Sequence, residues 1–250
     1  MYVKIGDFVT RNKYNNDIVF EICDIVDDIY YLKGVEYRLI ADSTKDDLKL
    51  SELSYREEDT FSLMREPSIR GKVLHLDGDQ RYLDMCKKKY EELKIRAECY
   101  YFKEVEFKNH VLELLEKHKP QILVITGHDA LRKDKDKTDI NNYQHSYNFI
   151  EAIKIARSYQ EDKDELIIIA GACQSYYEML LASGANFASS PKRINIHALD
   201  PLYIATLVAS ENVRNYVNVE EVISRTSHKE SGMGGIDTKG VARKIYPTGG

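Results

Sequence analysis

QILVITGHD (residues 121–129) and ELIIIAGAC (165–173) are the stretches whose reading decides the fold. Each is a short run of apolar, largely β-branched residues with no apolar–polar alternation. That is the pattern of a strand covered on both faces, as in a parallel sheet. The flanking segments agree. KVLHLDGD (72–79) is a further apolar run, ending in acids, and IRAECYYF (95–102) is another strand. Between them, RYLDMCKKKYEELK (81–94) places Leu83, Cys86, Tyr90 and Leu93 on one helical face, which makes Cys86 a buried helix residue. EVEFKNHVLELLEKHKP (104–120) turns Phe107, Val111, Leu114 and Leu115 inward and stops before Pro120. YNFIEAIKIARSYQ (147–160) and QSYYEMLLASG (174–184) complete the series. Residues 71–183 thus read as β-α-β-α-β-α-β-α, an α/β domain with a parallel sheet and helices on both faces. The helix after the last of these strands is expected to start near Gln174. Beyond it, a short strand is expected around INIHAL (194–199), helices over PLYIATLVAS and VNVEEVIS, and loop in the glycine-rich tail from Lys229.

The amino-terminal part differs. VKIGDFVTR, IVFEICDIV and YYLKGVEYRLIA are short β-branched and aromatic runs, broken by Asn15-Asn16, Asp27-Asp28 and Gly34. They predict a small antiparallel β-barrel over residues 1–55, either a docking module or a structural cap. Cys23 lies inside an apolar run and reads as a core residue. Residues 56–70 are charged, contain Pro67 and read as a linker. The α/β domain then occupies 71–250.

Composition narrows the function. The chain has 250 residues, 43% of them hydrophobic and 31% charged, enough for a packed core. There are 36 Lys and Arg against 41 Asp and Glu, a net charge of −5, so nothing marks a nucleic-acid binder. No apolar run approaches the roughly 18 residues a membrane span needs. MYVKIGDFVTRNK lacks the apolar centre of a secretory signal, which predicts a protein kept inside a cell. Cys23, Cys86, Cys99 and Cys173 have no CxxC spacing, so free thiols are expected rather than a zinc site. The sequence calls for no cofactor and specifies no oligomeric state.

In a parallel sheet, chemistry gathers at the carboxyl ends of the strands. Three ends here carry reactive groups: His75-Leu76-Asp77-Gly78-Asp79, Thr126-Gly127-His128-Asp129 and Gly171-Ala172-Cys173-Gln174-Ser175. Cys173 between strand and helix would feel the positive helix N-terminus, which favours the nucleophilic thiolate. His128 at the neighbouring end would serve as base to the thiol and acid to the leaving group. Backbone N–H groups at Gly127 and Cys173 would receive an oxyanion. His197 is a rival base, expected within a strand and ranked behind His128. Asp77, Asp79, His128 and Asp129 would form a metal site only if the Cys–His pair did not account for the same strand ends.

Spacing adds a likeness. His128 precedes Cys173 by 45 positions and Ala172 precedes the cysteine, which resembles the caspase-like cysteine peptidases. Those carry glycine directly after the histidine, whereas this chain has Asp129 there and Gly127 before it. The segments ILVITGHDAL, IIIAGACQSYYEMLLASGANFASSPKRINIHALDP and VKIGDFVTR resemble the YabG family of sporulation peptidases over nearly the whole chain. That resemblance implies a cysteine peptidase working in the mother cell and at the forming spore, with coat and coat-associated proteins as its substrates. It also implies His128 and Cys173 as the catalytic pair. Several caspase-like enzymes cut after arginine, so Asp77 or Asp79 is expected to bind a substrate arginine, unless these acids cap the following helix. Asp129 is expected to share that role or to orient His128. Arg65, Arg70 and Arg225 would then be self-processing sites.

Two other functions fit less well. A triad glutamine amidotransferase would have glycine where Ser175 stands and glutamate shortly after a downstream histidine, where His197 is followed by Ala198 and Leu199. A non-enzymatic coat scaffold would leave Cys173 inert.

Overall fold

The computed structural model describes residues 3–51 and 68–247. It comprises two compact units, Met1–Ser62 and Leu63–Gly250. Most of the expected linker lies outside the described residues.

The first unit is one antiparallel sheet of β1 (Phe8–Arg11), β2 (Phe20–Val26), β3 (Ile29–Gly34), β4 (Ile40–Thr44) and β5 (Leu48–Leu50), in the order β4-β3-β2-β1-β5. Its pairings give the antiparallel sheet expected from the sequence; a β4–β5 pairing that would close a barrel is not among those of the described residues. Asp27 and Asp28 both take positive φ, 49° and 63°, as a two-residue hairpin turn requires between paired Val26 and Ile29. Val9, Phe20, Ile22 and Leu32 are fully buried. Cys23 departs from expectation. Strand alternation that buries Phe20 and Ile22 turns Cys23 to the other side, where it is exposed.

The second unit runs β6 (Ser68–Ile69), β7 (Val73–Asp77), α1 (Gln80–Glu92), β8 (Ala97–Tyr101), α2 (Phe107–His118), β9 (Ile122–Thr126), α3 (Ser146–Tyr159), β10 (Ile167–Ala170), α4 (Tyr177–Ala182), β11 (Phe187–Ser189), α5 (Asp200–Ser210), α6 (Val219–Ser224), α7 (Lys229–Gly232), β12 (Met233–Gly235) and β13 (Arg243–Lys244). The main sheet has the order β12-β11-β10-β9-β7-β8. Its strands are parallel from β11 to β8, and β12 joins antiparallel at the edge. β6 and β13 form a separate short ladder.

Alternation along β7 separates the faces. Leu74 and Leu76 join Leu123, Ile125 and Ile168 in a core with Phe107, Val111, Phe149 and Leu180 of α2, α3 and α4. His75 points the opposite way and meets Tyr90 of α1. Helices therefore cover both faces. The strand order reverses between β7 and β9, because β8 lies outside β7 while β10 lies beyond β9. Such a switch point opens a crevice at the carboxyl ends.

Three expectations change. The segment around INIHAL is not a strand; the fifth parallel strand is β11, whose three residues are all buried. The glycine-rich tail is not all loop, since it supplies β12. Its glycines let that edge strand lie close, because a Cβ on Gly234 would stand 2.3 Å from the Tyr177 hydroxyl and one on Gly235 2.3 Å from the Phe187 ring. Finally, α4 begins at Tyr177, not near Gln174, so Cys173 lies in a turn before the helix rather than at its first residue.

Among the described residues, no helix is long and apolar enough to cross a membrane. Gly235→Ala should cost about 1–3 kcal/mol, because the fully buried Phe187 ring and the Asn186 carbonyl both crowd the new methyl. A fall in the urea midpoint at unchanged m-value would show it; an unchanged midpoint would mean that the edge strand yields freely.

Candidate active site

Register brings the reactive strand ends to one edge. Ile125 pairs with Ala170, and the Gly171 N–H donates to the Ile125 carbonyl at 3.0 Å. His128 and Cys173 each follow three residues beyond that paired position, on neighbouring strands. Asp77 pairs with Thr126, which puts the end of β7 on the other side of His128.

The acids at this edge have distinct duties. Asp77 is fully buried. Its Oδ1 accepts the Asp79 N–H at 2.9 Å and its Oδ2 accepts the Thr126 hydroxyl at 2.9 Å. Thr126 in turn accepts from His75 Nε2 at 2.8 Å, and Tyr90 donates to His75 Nδ1 at 3.2 Å. This chain fixes the His75 tautomer and satisfies a polar strip inside the sheet face. His75, Asp77 and Cys86 present possible ligand atoms within 4.8 Å of one another. Both His75 nitrogens and both Asp77 oxygens are already hydrogen-bonded, which suits a structural network better than a metal centre.

Asp79 caps α1. Its Oδ1 accepts the backbone N–H groups of Arg81 at 2.9 Å and Tyr82 at 3.3 Å. Its Oδ2 lies 3.5 Å from His128 Nε2, an electrostatic contact rather than a hydrogen bond.

Asp129 is a clamp. Oδ1 accepts the N–H groups of Ala130 at 2.9 Å and His145 at 2.8 Å. Oδ2 accepts the hydroxyls of Ser146 and Ser175. Each serine passes the connection on: Ser175 Oγ accepts the Ala172 N–H at 2.9 Å, and Ser146 Oγ accepts the Tyr176 N–H at 2.8 Å. The carboxylate thus holds the backbone on both sides of Cys173. Burial pushes the Asp129 carboxyl up, and its four hydrogen bonds offset only part of that. The same tether explains the late start of α4, because residues 172–176 are occupied by this turn, with Gln174 at φ 55°.

Glu104 was invisible in the sequence pattern. It opens a single 3-10 turn, Glu104–Glu106, after β8 and is 7% exposed. Its Oε1 accepts the His128 N–H at 2.7 Å and stands 3.3 Å from His128 Nδ1. Burial alone would raise the Glu104 carboxyl; the hydrogen bonds from the His128 ring and backbone outweigh it and hold the group below its ordinary value.

Cys173 is 2% exposed. Its Sγ is 3.4 Å from the Ile196 N–H and 3.8 Å from the Ile196 carbonyl. His197 follows directly, outside any strand. Its Nδ1 accepts the Leu199 N–H at 3.1 Å. Buried Asp200 accepts the N–H and hydroxyl of Ser227, both at 3.0 Å. Burial pushes the Asp200 carboxyl up, against those hydrogen bonds and the nearby His197 and His228.

A wall of aromatic groups stands beside the cysteine turn. The Arg193 guanidinium donates to the Tyr143 hydroxyl at 2.7 Å, pairs with Glu178 and lies over the rings of Tyr143 and Tyr176. Tyr176 donates to the Thr138 carbonyl at 3.0 Å, and Gln174 Oε1 accepts the Leu131 N–H at 3.2 Å. The polar loop 130–145, including the KDKDK run, is thereby tied to the cysteine turn. His110 and His118 have structural roles, stacked on Phe102 and bonded to the Tyr100 hydroxyl.

Comparison with known proteins finds a matching family and a curated relative. The family model described as YabG peptidase U57 matches two overlapping stretches, residues 4–67 and 52–247. The sporulation-specific protease YabG of Bacillus subtilis (strain 168) is 39% identical over 286 aligned residues, spanning 99% of this chain and 99% of the relative.

Asp129→Ala would leave several buried donors without an acceptor, at about 1–3 kcal/mol for each. The variant should lose at least about 2 kcal/mol of stability. It should also expose the cysteine turn, seen as faster alkylation of Cys173 by iodoacetamide. Unchanged stability and alkylation would show that the turn holds without the clamp.

Proposed function

This chain belongs to the YabG peptidase U57 family, and from that premise we propose that it is a sporulation cysteine endopeptidase with Cys173 as nucleophile and His128 as general acid–base. The observation that carries the pairing is the shared edge: both residues follow adjacent parallel strands at the same register. Membership of a peptidase family favours this reading over the scaffold and amidotransferase alternatives. The caspase-like likeness of the second unit rests on the same features, a parallel sheet with histidine and cysteine at successive strand ends.

In this mechanism the Cys173 sulfur attacks the scissile carbonyl carbon, and His128 takes the thiol proton. The tetrahedral oxyanion is received by backbone N–H groups, with Gly127 and Cys173 as the donors of this reading. The neighbouring amides of His128, Ala172 and Gln174 donate to Glu104, Ser175 and the Ile194 carbonyl, which fixes the backbone around both strand ends. His128 then protonates the departing amine, leaving a thioester. Water hydrolyses it, with His128 again as base. Cys173 is almost fully covered and its sulfur lies against the Ile196 backbone, so a peptide reaches the sulfur only when the covering residues move.

We assign the substrates to coat and coat-associated proteins of the forming spore, in the mother cell, with cleavage after arginine. Of the three acids expected to form an arginine pocket, Asp77 and Asp129 have both oxygens committed to the fold. Asp79 turns Oδ2 toward His128 and is the acid on which that preference rests. The amino-terminal sheet is a docking unit in this reading.

A second reading gives the base to His197, because the sulfur lies against the preceding residue, Ile196. Incubating wild type, Cys173→Ala, His128→Ala and His197→Ala with a spore-coat extract, then sequencing the new amino termini, separates the two. Cys173→Ala should yield no new fragments, His128→Ala should lose roughly 100-fold or more in rate, and His197→Ala should stay within about threefold of wild type. Arginine should precede the cuts. Equal fragments from wild type and Cys173→Ala would overturn the nucleophile, and loss confined to His197→Ala would move the base.

A further inference from the structure

The histidine at the end of β9 is held by a carboxylate that reaches across the whole width of β7. Glu104 follows β8, yet its side chain passes the end of β7 to meet His128 after β9. The passage is cut by two glycines. A Cβ on Gly78 would stand 2.1 Å from Glu104 Oε1, and one on Gly127 would stand 2.7 Å from it. No other residue type leaves the carboxylate in place at either position. One oxygen, Oε1, then serves both the backbone N–H and the ring of His128, at 2.7 and 3.3 Å.

The geometry points to Glu104 as the positioning residue of the active site, which fixes the His128 ring and its tautomer so that Nε2 is the nitrogen that exchanges protons with the Cys173 thiol. This rests on the reading of His128 as the general base. An ionised carboxylate only accepts hydrogen bonds, and of the two beside the ring Glu104 has hydrogen-bond geometry at Nδ1 while Asp79 has none at Nε2, so Glu104 selects the ring form with the proton on Nδ1. Nε2 then carries the lone pair. That atom is buried and makes no hydrogen bond, consistent with a nitrogen kept for a reaction partner. When Nε2 takes the thiol proton, the ring becomes positive between two carboxylates, Glu104 at 3.3 Å and Asp79 at 3.5 Å. Tyr82 of α1 is a further titratable side chain beside the ring, 6.3 Å away between ring centres. Asp79 is already committed through Oδ1 to the first turn of α1, so its freedom to follow the ring is small. Glu104 touches neither substrate nor sulfur in this scheme. It acts through His128, as the third member of a nucleophile–base–orienter set.

The test is Glu104→Gln in the full chain, assayed on a coat protein that wild type cleaves, beside Cys173→Ala and His128→Ala. The amide keeps the size of the side chain and an acceptor for the His128 N–H, but it loses the charge and no longer enforces the Nδ1–H tautomer. The expected result is a fall in kcat of roughly 100-fold, with KM within about twofold and a thermal transition near that of wild type. A kcat within about threefold of wild type, with Cys173→Ala and His128→Ala inactive, overturns the role of Glu104 and leaves the dyad standing. A KM rise that accounts for the whole loss also overturns it. Nitrogen-15 spectra of the wild-type histidines give an independent readout that needs no variant to fold and no turnover. A neutral His128 with its proton on Nδ1 supports the assignment, and one with its proton on Nε2 overturns it. Should Cys173→Ala or His128→Ala remain active, the dyad itself is what fails, and the tautomer alone then decides whether Glu104 sets the ring.

Discussion

Parallel strands cannot be joined by a tight turn; each return to the starting end needs a crossover, here a helix. That constraint sends the carboxyl ends of β7, β8, β9, β10 and β11 to one side of the sheet. The candidate site, with His128 and Cys173, lies on that side as a result. The central strands must also be apolar on both faces, since helices cover each of them. The polar exceptions in the strands, His75, Asp77 and Thr126, are tolerated because they satisfy one another.

The edge so formed is crowded with carboxylates, and the structure distinguishes them by what each one holds. Asp77 braces the strand ends, Asp79 caps a helix, Asp129 ties both sides of the cysteine turn, and Glu104 holds the histidine. A buried carboxylate is costly unless its lone pairs are occupied, so each commitment to the fold lessens what remains for a ligand. Asp79 alone among the three expected pocket acids keeps an oxygen turned to the histidine.

Much of this was legible in particular residues. Unbroken apolar runs such as residues 166–170 announced central parallel strands, and Asp27-Asp28 announced a break between strands, which the structure makes a two-residue hairpin turn. The strand ends at His128 and Cys173 stood out because reactive residues directly followed such runs. Cys23 misled because an apolar neighbourhood does not say which way a strand side chain points. The tail misled because glycine signals loop in a sequence, while here Gly234 and Gly235 make room for Tyr177 and Phe187 beside an edge strand. Glu104 had no signal of its own, being one acid among 41 Asp and Glu. The paired glycines at 78 and 127 are the trace it leaves in the sequence.

By itself the sequence determined the order of strands and helices over residues 71–183, because hydrophobic period and turn chemistry are local. It also determined which strand ends carry a thiol and an imidazole. Only the tertiary structure decided the partners of the acids. Glu104 meets His128 across 24 residues and Asp129 meets Ser175 across 46. Contacts at such separations follow from sheet order and register, β8 outside β7 and β10 beyond β9, and neither is written in any local stretch of the chain.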